Sequence, residues 1–150
     1  MSKYEEKARG LFLEGYNCAQ AVFLAFEDVT GIDRETAAKL SSSFGGGMGR
    51  MREVCGAVSG MFMVLGCLHG YDDPKATTEK MDHYELIRKA AEKFKAENGS
   101  IICRDILEGA TPGGAPEERT EQYYKKRPCA EYVAQCAAIV EEYIKEHKVL

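Results

Sequence analysis

The sequence predicts an all-α protein, a compact bundle of five to six helices with one glycine-rich loop. Three observations carry that prediction. Apolar residues recur at three- and four-residue steps along most of the chain. Strand-like alternation is absent. Proline is confined to four loop-like positions, so the periodic segments keep their backbone donors. The 150 residues read as a single domain, 1–150, with no internal repeat and no second-domain boundary. A domain of that size buries a sizeable core without staples.

The first helix is expected over Lys3 to Val29, where Leu11, Phe12, Tyr16, Ala19, Val22, Phe23 and Phe26 keep helical spacing. Gly10 and Gly15 weaken it and suggest a break near Gly15, while Gly31 reads as its stop. Asp33 reads as the N-cap of a second helix, "RETAAKLSSSF", with Glu35 in its first turn. "GGGMGRM", Gly45 to Met51, is too rich in glycine for a helix interior and reads as a loop that lets backbone approach something closely. The third helix, roughly Arg52 to Leu68, carries Cys55 and Cys67 among glycines. Gly70, Asp72, Asp73 and Pro74 then mark a turn. A fourth helix, Lys75 to Lys95, shows a stripe of Met81, Tyr84, Ile87, Ala91 and Phe94. Ser100 can cap a short helix, "IICRDILEG", and residues 109–122 read as the longest loop. The last helix is expected from Pro128, a residue suited to a first helical position, to Lys148. Its buried stripe is Tyr132, Val133, Cys136, Val140, Tyr143 and Ile144.

Charge and hydropathy narrow the function. Twenty basic and 24 acidic residues give a net charge of -4, with no basic patch and no aromatic–basic interleaving. No nucleic acid partner is expected. "MSKYEEKARG" is charged and is not a signal sequence. The longest apolar run, Val54 to Leu68, is broken by Gly56, Gly60 and Gly66 and falls short of the ~18 residues that mark a membrane span. The expectation is a cytoplasmic protein without membrane insertion. In that reducing compartment, six cysteines point to metal or redox roles rather than structural disulfides. They stand at 18, 55, 67, 103, 129 and 136, with no CxxC pair, so any joint site is assembled by the fold.

The six are not equivalent. Cys129 follows Pro128 at a helix start, with Lys125, Lys126 and Arg127 upstream, and both features favour thiolate. It is the best reactive-thiol candidate. Cys103 lies in a first helical turn beside Arg104, and Cys55 opens its helix after Arg50 and Arg52, so the same argument applies to both. Cys18, in "GYNCAQAV", reads equally as a ligand or as a small buried hydrophobe. Cys67, deep in the apolar run, and Cys136, on the core stripe of the last helix, read as structural. Gly56 and Gly60 make one small helix face that serves either a cofactor or tight helix packing. His69, His83 and His147 are scattered at helix ends or on polar faces and read as solvated, although His69 could join a metal site with a nearby cysteine. "GGGMGR" could cradle an anion through its amides but lacks the ending of a phosphate loop.

These pieces together resemble a known family. "NCAQAV" around Cys18, "FGGGMGR" followed by "VCGAVSG" around Cys55, "CRDIL" at Cys103 and "PC" at Cys129 are similar to the redox-active protein family labelled C_GCAxxG_C_C. The central motif stands here as CGAVSG. The resemblance covers nearly the whole chain. It implies a helical protein with four characteristic cysteines, Cys18, Cys55, Cys103 and Cys129, and a redox role; Cys67 and Cys136 stay outside the pattern. A related module occurs in a split-Soret type of cytochrome c that is associated with an iron–sulfur centre. The CxxCH attachment motif is missing here, so no haem is implied.

Three readings follow. In the first, Cys18, Cys55, Cys103 and Cys129 close around a [2Fe–2S] cluster or one zinc, and Gly45, Gly46, Gly47, Gly56 and Gly60 make room for it. The protein then transfers electrons to a redox partner that the sequence does not name. In the second, two of the four cysteines cycle between dithiol and disulfide, with Cys129 attacking and Cys55 or Cys103 as partner. In the third, the cysteines are only buried and the protein is a helical interaction module, for example a homodimer. The first is preferred slightly, because four family cysteines exceed one redox pair.

Overall fold

Helix α1 (Lys3–Leu13) starts at Ser2, whose hydroxyl accepts the Glu5 N–H at 3.4 Å. The structure, a computed structural model, describes residues 2–107 and 109–147, and of Lys125 and Lys126 the backbone alone. The single helix expected over Lys3 to Val29 is three: α1, α2 (Cys18–Ala25) and α3 (Glu27–Thr30). Gly15, at φ +116°, breaks the first, a conformation open to glycine at little cost. Asn17 then starts the next with a reciprocal cap. Its side chain accepts the Gln20 N–H at 2.9 Å, and the Gln20 side chain accepts the Asn17 N–H at 3.0 Å. The chain turns at Phe26, and Gly31 closes α3 in the left-handed conformation.

Helix α4 (Arg34–Ser42) is capped by Asp33, which accepts the Thr36 N–H at 3.0 Å. The glycine-rich segment opens with a single turn, α5 (Gly45–Met48), in which Gly46 and Gly47 have left-handed backbones. Helix α6 (Gly56–His69) begins four residues later than the sequence suggested. The delay has a cause: Arg52 is left-handed, and Val54 pairs with Ile102 in an isolated antiparallel bridge. No longer strand exists among the described residues. Helix α7 (Thr77–Asn98) ends at Gly99, α8 (Cys103–Ile106) is one turn, and α9 (Glu121–Lys126) begins at Thr120 near the end of the expected loop. Helix α10 (Cys129–His147) is the last. Lys148, its expected end, and Glu108, in the expected helix at 101–109, lie outside the described residues. Among those residues, six helices have eight residues or more, joined by shorter turns of helix.

Helix α2 is the centre of the packing. Ala19 and Ala21 to Ala25 are buried, and α1, α4, α6 and α10 all contact it. Helix α1 lies against α10, so both ends of the described chain close one side of the core. Phe12, Phe26, Leu24, Met61 and Val140 are among the fully buried side chains. Each contributes roughly 1.5–3 kcal/mol by leaving water. Helix α7 joins through one narrow stripe. His83, Ala90 and Phe94 are buried, while Met81 and Tyr84 of the expected stripe are 63% and 47% exposed. Phe94 sets the phase. Steps of three and four back from it reach Ala90, Ile87 and His83, and leave Met81 and Tyr84 on the outer side.

Helices α2 and α6 cross closely because α6 presents glycine. A Cβ on Gly60 would lie 2.6 Å from the Ala19 carbonyl oxygen and 3.1 Å from Val22 Cβ. The first neighbour is backbone and cannot swing away. Gly66, on the same helix, meets nothing within 4 Å. Gly60→Ala is therefore expected to destabilise the protein by about 1–3 kcal/mol, as overpacking does. Gly66→Ala should leave stability unchanged or raise it by up to ~1 kcal/mol. Urea midpoints of the two variants check this, and equal effects would contradict it.

Candidate four-cysteine site

Each of the four motif cysteines stands at the start of a helix. Cys18 is the first residue of α2, Cys55 caps α6, Cys103 opens α8 and Cys129 opens α10. The sequence placed Cys18 within a longer helix; the break at Gly15 and the Asn17 cap put it at an N-terminus instead. The four lie on the wall of one cavity of about 390 Å³. Cys67 and Cys136 do not. Cys67 is exposed on the outer face of α6, which corrects its placement deep in the apolar run. Cys136 is buried in the core.

Local bonding explains the convergence. The Cys55 N–H donates to the Ile101 carbonyl at 2.8 Å and the Cys103 N–H to the Glu53 carbonyl at 2.6 Å, so the Val54–Ile102 bridge holds these two cysteines side by side. Asn17 Nδ2 donates to the Ser42 carbonyl at 3.1 Å and ties the start of α2 to the end of α4. The glycines let these segments touch. A Cβ on Gly47 would lie 2.7 Å from Cys103 Cβ and 2.8 Å from Arg52 Cα. One on Gly56 would lie 2.9 Å from the Phe44 carbonyl oxygen and 3.2 Å from Cys18 Cβ. Gly45, Gly46, Gly47 and Gly56 line the cavity, but Gly60 does not: it serves the α2–α6 crossing. Three residues without glycine's freedom, Met48, Arg50 and Arg52, also have φ of +60° to +66°. A left-handed residue costs about 1–2 kcal/mol. Such strain gathers beside functional sites, and here it borders the cavity.

The wall is cationic. Arg50, Arg52, Arg119 and Arg127 share it with the thiols, and among the described residues Glu117 is its one acidic side chain. Arg52 is buried, donates through Nε to the Thr111 carbonyl at 3.2 Å, and sets Nη1 3.7 Å from Cys103 Sγ. Arg119 donates to the carbonyls of Phe12 and Tyr16, both at 3.0 Å, and lies 4.3 Å over the Phe12 ring. Arg127 pairs with Glu117. Sequence reasoning missed Arg119, in the segment read as loop. The available signal was its spacing: Arg119, Tyr123 and Arg127 recur at four-residue steps, and both guanidinium groups lie over the Tyr123 ring.

The thiols divide into unlike states. Cys129 is held below the ordinary thiol range, first by a hydrogen bond from Cys18 and then, against its burial, by the charges of Arg127, Arg119 and Arg52. Cys18 is pushed well above that range by the same bond, by burial and by the charge on Cys129. Of the two thiols, Cys129 is therefore the one that gives up its proton first. The side chains of Lys125 and Lys126, expected to act on Cys129, lie outside the described residues. Cys55 is pushed up to about 12 by burial, which outweighs hydrogen bonds from the Val58 and Ala57 N–H groups. That corrects the expectation of a thiolate there. Burial also raises Cys136.

Two of the three histidines are paired rather than scattered: His69 and His83 bring their Nδ1 atoms to 3.1 Å, outside the cysteine cavity. Among the described residues, no group of three or more His, Cys, Asp or Glu side chains is arranged to hold a metal ion. No described helix is long and apolar enough to cross a membrane.

Comparison with protein families matches residues 16–143 to the family described as "Putative redox-active protein (C_GCAxxG_C_C)". Comparisons with curated proteins and with solved structures found no match.

The unequal thiols give a pH signature. In the reduced protein, alkylation of Cys129 should reach half its maximal rate below the usual ~8.5 of a free cysteine, whereas Cys55 should stay unreactive until strongly alkaline pH. Cys18→Ala removes the largest stabilising contact of the thiolate, so the Cys129 midpoint should rise. Mass-spectrometric mapping of labelled peptides across pH checks both shifts.

Proposed function

The chain belongs to the C_GCAxxG_C_C family, and from that premise we propose that it is a thiol–disulfide redox protein in which Cys129 attacks and Cys18 resolves. One observation carries the proposal: Cys18 and Cys129 line one cavity with Arg52, Arg119 and Arg127, and their acidities are shifted apart, Cys129 below and Cys18 above the ordinary thiol range. Exchange requires a thiolate to attack a disulfide sulfur and a neighbouring thiol to displace the mixed disulfide that forms. The pair supplies both roles on the wall of one cavity. The sequence suggested Cys55 or Cys103 as the partner. In this proposal Cys18 takes that place, because the cap at Asn17 sets α2's first residue on the cavity wall that carries Cys129, and Cys18 is the largest influence on the acidity of Cys129.

A second reading retains a specific support. Cys18, Cys55, Cys103 and Cys129 all line one cavity, with glycines where backbone approaches them most closely. That donor set fits a [2Fe–2S] cluster, whose ligands are shared between two irons and need not surround one ion. These four residues would hold it, and Arg52 and Arg119 would offset its negative charge. When bound, the cluster would supply one-electron transfer. A single zinc is supported less, because it needs its ligands gathered about one point. The dithiol stands first because it asks for only two of the four cavity thiols, and Cys18 and Cys129 are the two whose acidities are shifted apart.

One experiment separates the two. Protein purified without oxygen is analysed for iron and sulfide, then oxidised mildly, and its remaining thiols are counted and mapped. The proposal expects a metal-free protein that loses two of its six thiols and joins Cys18 to Cys129. Cys18→Ser and Cys129→Ser should each abolish the disulfide, while Cys67→Ala and Cys136→Ala should not. Stoichiometric iron and sulfide, with broad visible absorption, would establish the cluster and overturn the dithiol.

A further inference from the structure

We infer that the cavity selects anionic disulfides, small molecules in which carboxylates flank the reacting sulfur–sulfur bond. The inference rests on the dithiol reading above and adds its substrate class. It is carried by the charge on the wall. Arg50, Arg52, Arg119 and Arg127 face the same space as Cys129, and Glu117, already paired with Arg127, is the one acid among the described residues of the wall. The chain as a whole is acidic, with a net charge of -4, so the cluster is a local reversal of sign and not a general property of the surface.

Four guanidinium groups are more than one thiolate requires. Arg52 is fixed by Thr111 and Cys103, and Arg119 by two carbonyls at the end of α1. Arg50 bonds the Gly113 carbonyl at 3.1 Å through Nε alone, which leaves the outer fork of its guanidinium uncommitted by that contact. A planar fork matches a carboxylate through two parallel hydrogen bonds. A cavity of about 390 Å³ lies within the range that holds a small ligand. A cationic cleft also concentrates anions and raises association rates by ~10–10³.

The reaction balances. The Cys129 thiolate attacks one sulfur of R–S–S–R and releases RS⁻, leaving a Cys129–S–S–R mixed disulfide. Cys18 gives its proton to the departing thiolate, and its sulfur attacks the Cys129 sulfur and releases the second RS⁻. The protein loses two electrons and forms the Cys18–Cys129 disulfide; the substrate gains two electrons and leaves as one thiol and one thiolate.

The test uses the full chain, reduced, in a Cys67→Ala background so that the exposed thiol makes no contribution. Single-turnover oxidation is followed with glutathione disulfide (net anionic), 2-hydroxyethyl disulfide (neutral) and cystamine (cationic). Each rate is divided by that of a small neutral dithiol with the same probe. The inference expects glutathione disulfide to be favoured over cystamine by at least ~10-fold. That preference should collapse in 1 M salt, where the screening length falls to about 3 Å. Arg50→Gln should reduce the ratio of glutathione disulfide to neutral probe by roughly threefold or more, the effect of removing one of several charges. Formation of the Cys18–Cys129 disulfide with all three probes in the order shown by the free dithiol would overturn the inference and leave the dithiol reading standing. Failure of every probe to form that disulfide would overturn the reading itself, and the inference with it.

Discussion

The rest of the structure depends on four helix starts meeting at one cavity. A helix N-terminus presents unpaired N–H groups and a partial positive charge. Helices α2, α6 and α10 direct such ends at the same space, and the single turn α8 adds its first N–H groups more than any dipole. Buried arginine adds to the same sign. Such surroundings favour negative charge, and Cys129 is the thiol they shift toward it. Burial alone favours the protonated thiol, as at Cys55. At Cys129 the balance reverses because a hydrogen bond and three guanidinium groups act together against burial.

The packing is arranged to make that meeting possible. Gly60 brings α6 against α2, and Gly56 extends the contact until Cys18 and the start of α6 touch. Gly47 does the same for Cys103 and the strained segment that carries Arg52. Glycine beside cysteine, costly in a helix by about 1 kcal/mol, is thus explained by approach of backbone to backbone. Arg119 fastens the opposite wall: its bonds to Phe12 and Tyr16 tie the segment before α9 to the gap between α1 and α2. The cavity is therefore walled by segments far apart in sequence, and its geometry is inherited from the core.

Much of this was legible in the sequence. Helical periodicity and the caps at Asp33 and Gly31 follow from local rules, while the set of four motif cysteines came from the family resemblance. Other features depend on distance. Nothing local told that Gly15 and Asn17 would place Cys18 beside Cys129, residues separated by most of the chain. The charge argument at Cys55 named the right neighbours but lacked the burial that outweighs them. Arg119 offered only its four-residue spacing from Tyr123 and Arg127, and its role comes from the distant carbonyls it reaches. Met81 and Tyr84 continued an apolar pattern whose phase is fixed elsewhere, by Phe94.

The most direct measurement is the pH dependence of the Cys18–Cys129 reduction potential. If one sulfur is a thiolate and the other keeps its proton, reduction takes up one proton for two electrons. The potential should then change by about 30 mV per pH unit, in a window that opens below the ordinary thiol range and extends above it. A slope of about 59 mV per pH unit that persists through that range would mean that both thiols bind a proton on reduction. The charge would then not reside on Cys129, and the account built on the four helix starts would be wrong.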